Sequence, residues 1–141
     1  MLWQKKYETG NKRVDDEHKQ IFALVQRVID ATFEDKDEKI DTIINFLADY
    51  TVKHFEHEED LMDESKYPDT SVHKKQHVDF LNDVTVLKKK ILLERDSAAS
   101  NIAINKAIVG WLTNHVLGSD MIMAAYYRKW SETDKLRRRD F

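Results

Sequence analysis

The stretch HFEHEED at residues 54–60 packs two histidines and four acids into seven residues. Imidazoles and carboxylates this close together can trade protons or hold a metal ion. Similar groups recur along the chain: His18 after a run of acids, His73 and His77 four residues apart, and His115 five residues before Asp120. Two pairs, His54/Glu58 and His73/His77, have the four-residue interval that stacks side chains on one helical face, so each pair could grip one metal or neighbouring metals. The chain has no cysteine, which excludes thiolate metal sites, disulfides and cysteine nucleophiles.

These residues need helices to position them, and the apolar pattern predicts four. The first, from about Asp15 to Phe33, carries Ile21, Phe22, Val25, Val28 and Ile29 at helical spacing, with His18 on the same stripe and acids at its positive end. After the polar FEDKDEK turn the second, about 37–65, runs Ile40, Ile44, Leu47, Thr51, His54, Glu58, Leu61. Pro68 ends it. The third, about 70–94, runs Thr70, His73, His77, Phe80, Val84, Leu87, Ile91. Following the RDSAASN loop, which offers Ser or Asn caps, the fourth (about 101–128) carries Ile104, Ile108, Trp111 and His115, with Leu112 and Val116 beside them. The expected fold is all-α: an antiparallel up-down-up-down four-helix bundle with an N-terminal arm over about 1–14 and a basic, solvated C-terminal tail. Trp3 and Tyr7 of the arm are expected to pack outside the bundle, with Gly10 in its turn.

Five of the six histidines fall on apolar seams, at least one per helix, and the alternating directions bring them to one end of the bundle. Burying imidazoles without partners is costly, so such a convergence calls for a ligand. His57 points off the seam and is expected at the surface. Asp120 fits least well: five residues after His115 is about 140° around a regular helix, so both can face inward only if the helix is overwound, bulged or bent near VLGSD. A π-type bulge at Gly118 is the expectation.

The remaining composition narrows the class. With 141 residues and a net charge of −3, the chain suits one domain and argues against nucleic acid as the partner. Three Gly and one Pro favour long helices. No signal peptide or membrane-spanning run is evident, so a cytoplasmic protein with no membrane partner is expected.

With these residues in place, the chain resembles the hemerythrin family in its single-domain bacterial form. The resemblance rests on the arm W…Y…G, VDDEH, HFEHEE, YPDTSVHKKQH and WLTNHVLGSD, and covers most of the chain. It differs in having Glu17 where the family often has Gln, an added acid close to the proposed metal. The resemblance implies a non-haem di-iron centre, with one iron on His73, His77 and His115 and the other on His18 and His54. Glu58, Asp120 and an oxo or hydroxo group would bridge the two irons, and dioxygen would bind at the open position of the iron with two histidines. Imidazole and carboxylate donors suit iron ahead of zinc, copper or manganese. Ile21, Phe55, Trp111, Leu112 and Val116 resemble the family's apolar oxygen pocket, and Met62 is a candidate for an access route. The expected function is reversible oxygen binding for storage, delivery or sensing, without catalysis. The alternatives are a di-iron enzyme that reduces peroxide or nitric oxide, and an iron storage or sensing protein. The sequence has no Glu-x-x-His, the motif of the carboxylate-rich di-iron bundles, which favours binding over oxidation of substrates.

Overall fold

The computed structural model describes residues 2–33, 37–94 and 97–139. Residues 34–36 of the FEDKDEK turn and 95–96 of the RDSAASN loop lie outside the described residues. The rest of that loop, 97–101, is helical, so the fourth helix begins at Ser97 and not near residue 101 as expected, since Ala98 and Ala99 are strong helix formers. Each apolar stripe becomes a helix: α1 is Lys12–Phe33, α2 is Asp37–Ser65 and α3 is Thr70–Glu94. The fourth, α4, spans 97–139 as an unbroken succession of α-helical Ser97–Ile104, π-helical Asn105–Val109, α-helical Gly110–His115, π-helical Val116–Asp120 and α-helical Met121–Arg139. Neighbours in sequence are neighbours in space, and α4 closes the bundle against α1 and α3. Consecutive long helices that pack on one another with only a few residues between them run antiparallel, which gives the four-helix layout.

Local chemistry sets the ends. Asn11 Oδ1 accepts a hydrogen bond from the Val14 backbone at 3.1 Å and so caps α1. The helix therefore begins three residues earlier than expected, and the buried Asp15 side chain turns back to accept from Thr9 N, Thr9 Oγ1 and Gly10 N. Gly10 adopts φ +89°, the left-handed turn that joins arm to helix. At the end of α2 the Tyr67 N–H reaches Met62 O and the Lys66 N–H reaches Asp63 O, with Lys66 at φ 54°. That is a Schellman closure, so the helix stops before Pro68 acts.

The main core runs from Tyr7 and Phe22 to Ile91 and Ile104, and a smaller cluster of Met62, Tyr67 and Met123 closes the other end. Tyr7 corrects one expectation: it is buried and stacks on Phe22 at 5.2 Å instead of lying outside. Its ring offers more apolar surface than a peripheral site would cover, and Phe22 supplies a matching face. Trp3 does stay at the margin, under the Lys19 ammonium. α4 reaches Arg139, well past the expected end near Arg128, because no Gly or Pro follows Arg128 within it and Asp134 pairs with Arg138 one turn on. The basic tail is thus helical up to Arg139, and its last described side chains are exposed.

The π turns explain how α4 serves the core. Ile104, Ile108, Leu112, Val116 and Asp120 are all buried, at a constant interval of four. In a regular α-helix each four-residue step overshoots by about 40°, so the run would drift by about 160° and leave the core face. Each π turn takes in one extra residue, and two of them cancel the drift. Gly118 lies in the second with an ordinary negative φ, and a Cβ there would meet nothing within 4 Å. The register, then, and not the glycine, holds the turn. Gly118→Ala is expected to raise stability by about 0.5–1 kcal/mol in a denaturant titration while metal content stays unchanged.

Candidate metal centre

α1 contributes His18, α2 His54 and Glu58, α3 His73 and His77, and α4 His115 and Asp120. All seven are buried, from 0% exposure at Glu58 to 6% at His115. Each carboxylate divides its oxygens between two sets of imidazoles. Glu58 Oε2 lies 2.6 Å from His54 Nε2 and 3.3 Å from His18 Nε2, while its Oε1 lies 3.1 Å from His77 Nε2 and 3.3 Å from His73 Nε2. Asp120 Oδ2 lies 3.0 Å from His18 Nε2, and its Oδ1 is 3.0 Å from both His73 Nε2 and His115 Nε2. Two overlapping groups result: His18, His54, Glu58 and Asp120 in one, His73, His77, His115, Glu58 and Asp120 in the other, with donor atoms within 4.8 Å of one another in each.

The donor atoms fit a cation better than they fit each other. Both Asp120 oxygens and His115 Nε2 lack an aligned hydrogen bond although they sit at ion-pair distance from their neighbours. Buried polar atoms are rarely left so. Short separations without donor–acceptor alignment are what lone pairs turned toward a shared positive centre produce. The second π turn places Asp120 here, and Ser119 Oγ, donating to Gln76 Oε1 at 2.8 Å, ties that turn to α3.

Residues 9–127 match the model of the hemerythrin HHE cation binding domain. The chain belongs to the hemerythrin family. It is 30% identical over 119 residues to the hemerythrin-like protein of Naegleria gruberi, covering 84% of this chain and 87% of that one. It is 29% identical over 120 residues to the bacteriohemerythrin of Pseudomonas aeruginosa strain UCBPP-PA14 (85% of this chain, 76% of the relative). The bacteriohemerythrin of Clostridium acetobutylicum is 27% identical over 124 residues, covering 84% of this chain and 95% of the relative.

Around this hemerythrin-family cluster lies an outer layer of carboxylates, of which the sequence suggested only the nearness of Glu17 and neither its bonds nor Glu59. Glu17 Oε1 accepts from His54 Nδ1 at 3.0 Å and from His57 Nδ1 at 2.7 Å. Glu59 Oε2 accepts from His77 Nδ1 at 3.1 Å. With Nδ1 carrying the proton, Nε2 keeps its lone pair for the centre. His57 is therefore not a free surface side chain: it is 11% exposed and tied to Glu17. The correction has a simple cause, since α1 packs closely enough on α2 to cover the flank of the seam. The available signal was the placement of Glu17 and Glu59 directly beside His18 and Glu58.

Of the expected pocket residues, Ile21, Phe55, Leu112 and Val116 are buried in one core cluster, with Trp111 packed partly buried against it. Phe55 stacks on His77 at 3.8 Å and Trp111 on His115 at 4.3 Å, so two of the five lie directly on cluster imidazoles. Met62 is wholly buried in the small end cluster and is core. Tyr126 and Tyr127 donate to the Ser65 carbonyl and to Glu64, respectively.

Without metal the cluster holds protons. Burial pushes the His54 imidazole down, but the Glu58 charge and the bonds to Glu17 and Glu58 outweigh it and raise it to about 10. Burial likewise opposes His73, which Asp120 and Glu58 raise to about 9. Burial favours a neutral Glu58, yet His54 and the bonded imidazoles hold it well below the usual carboxylate range. Raised imidazoles stabilise the fold fully below their unfolded value near 6.5, and the benefit drains away as pH rises through 9 to 10. Depressed carboxylates stabilise it above their unfolded value and lose that effect in acid. The melting temperature of the metal-stripped protein should therefore be highest between about pH 4.5 and 6.5 and decline toward pH 10. A flat profile through pH 9 would contradict this charge assignment.

Proposed function

We propose that the cluster holds two iron ions and that the protein binds dioxygen reversibly. The observation that carries this reading is the division of Glu58 and Asp120, one oxygen of each toward a two-imidazole group and the other toward a three-imidazole group. His73, His77 and His115 would hold one ion, His18 and His54 the other, and the two carboxylates would bridge them. The two-histidine position has one protein donor fewer and so has room for a small ligand. Iron held by these residues would supply the electrons for reversible dioxygen binding.

The chain's residues do the rest. Glu17 and Glu59 orient His54 and His77. Phe55 lies on His77, and Ile21, Leu112 and Val116 belong to the same buried apolar cluster; such surroundings would exclude water and protect a ligand that a proton would release. Tyr126 and Tyr127 donate to the Ser65 carbonyl and to Glu64, and not to the cluster, whereas Glu17 is bonded to it through His54. No helix among the described residues is long and apolar enough to cross a membrane.

The test is anaerobic loading with Fe(II), a metal count, and visible absorption while oxygen is admitted and removed. Two irons per chain and a band that comes and goes with oxygen are expected. Two irons that oxidise irreversibly, with peroxide or nitric oxide consumed over many turnovers, would instead make the protein an enzyme.

A further inference from the structure

We propose that Glu17 is a positioning residue for the two-histidine position alone, holding His54 so that this position, and not its neighbour, depends on it; the inference rests on the two-metal reading above. His54 is gripped at both ring nitrogens, with Nδ1 donating to Glu17 Oε1 at 3.0 Å and Nε2 lying 2.6 Å from Glu58 Oε2. A ring protonated on Nδ1 must present the Nε2 lone pair inward, so Glu17 fixes both its tautomer and its plane. Glu17 is itself braced: His57 donates to the same oxygen at 2.7 Å, and Arg13 Nε lies 3.7 Å from Oε2.

The other imidazole of that group has no such support. His18 Nδ1 is buried without a hydrogen-bond partner. The three-histidine group has its own outer carboxylate, Glu59 on His77, together with a third imidazole. Loss of Glu17 would thus free one of only two imidazoles on one side and none on the other. Glu17 is an acid, so its grip on His54 is a charged one. Outer-layer carboxylates of this kind typically change metal affinity 10- to 100-fold.

The experiment loads the full chain with Co(II) and follows its release to excess chelator by the d–d absorption. Wild type is expected to bind two Co(II) and release them in two phases. Glu17→Ala should accelerate one phase by about 10- to 100-fold and leave the other unchanged, and Glu17→Gln, whose carbonyl oxygen still accepts from Nδ1, should restore most of the wild-type rate. Equal rates in Ala and wild type would overturn the proposal. So would acceleration of both phases together, which marks a scaffold role, or a Gln variant as fast as Ala. Should the Ala variant fail to fold, proton NMR of the Co(II) proteins decides: Glu17→Gln must move the exchangeable Nδ1–H signal of His54 and not that of His77, and an unmoved His54 signal overturns the proposal. A wild type that binds fewer than two Co(II) would refute the two-metal reading itself, whatever the variants do.

Discussion

Glu58→Ala is expected to empty both metal positions at once and leave a helical bundle. Glu58 is the side chain on which four imidazoles converge, His18 and His54 at one oxygen and His73 and His77 at the other. Its removal takes a donor from each group, whereas His77→Ala disturbs directly only the three-histidine group. Breaking a buried charge pair typically costs about 3–5 kcal/mol. That figure is an upper bound here, because the imidazoles can relieve the loss by releasing their protons, and the helices keep their apolar seams. Without Glu58 the largest charge that raises His54 is gone, so the metal-free variant should lose less stability than wild type between pH 7 and 10. The measurements are a metal count after gel filtration, far-ultraviolet circular dichroism and melting curves against pH. Two metals retained would refute the ligand assignment; complete unfolding would show that Glu58 is structural first.

What the sequence made legible follows one rule: it concerned residues on a helical seam. Ile21, Leu47, Phe80 and Ile108 announce the buried faces by three–four spacing, and His18, His54, His73, His77 and His115 lie on the same lines. Asp120 was legible only in part: five residues from His115 cannot both face inward on a regular helix, so spacing alone left Asp120 open, the family resemblance pointed it inward, and the turn at Val116–Asp120 puts it there. The companion π turn at Asn105–Val109 escaped, although the four-residue interval of Ile104, Ile108, Leu112 and Val116 contains it. That interval reads as ordinary helix over one or two steps and becomes impossible only over four. Glu59, the burial of His57 and the bonds of Glu17, whose nearness alone was legible, escaped for another reason. These residues sit beside the seam, and whether the flank is wet or covered depends on how closely α1 approaches α2, a distance no single-helix pattern encodes. Tyr7 escaped because the arm has no period; only the stack on Phe22 buries it.

Phe55→Ala should leave the metals in place and abolish reversible oxygen binding. Phe55 is 3% exposed, lies flat on His77 at 3.8 Å, and meets the rings of His54, Phe80, Trp111 and His115 within 6.4 Å. Among the described residues no other side chain has ring contacts with so many of these aromatic groups, yet it donates nothing to a metal. Truncation removes a whole ring from the core at a cost of about 3–5 kcal/mol, visible as a lower melting temperature. The cavity it opens is bounded by imidazole as well as carbon, and so can take water where a purely apolar void would stay dry. Water beside the centre brings protons and a higher local dielectric, both of which favour irreversible loss of a reduced oxygen ligand over its return as dioxygen. Iron content per chain should therefore match wild type while the oxygen-dependent band decays within one cycle. Phe55→Leu separates the two effects: it refills much of the volume without the stack on His77, and should recover reversibility in proportion to the water it excludes. If Phe55→Ala cycles with oxygen as wild type does, water exclusion is not how the chain protects its ligand; if it loses iron as well, the stack on His77 holds the metal and not merely the solvent boundary.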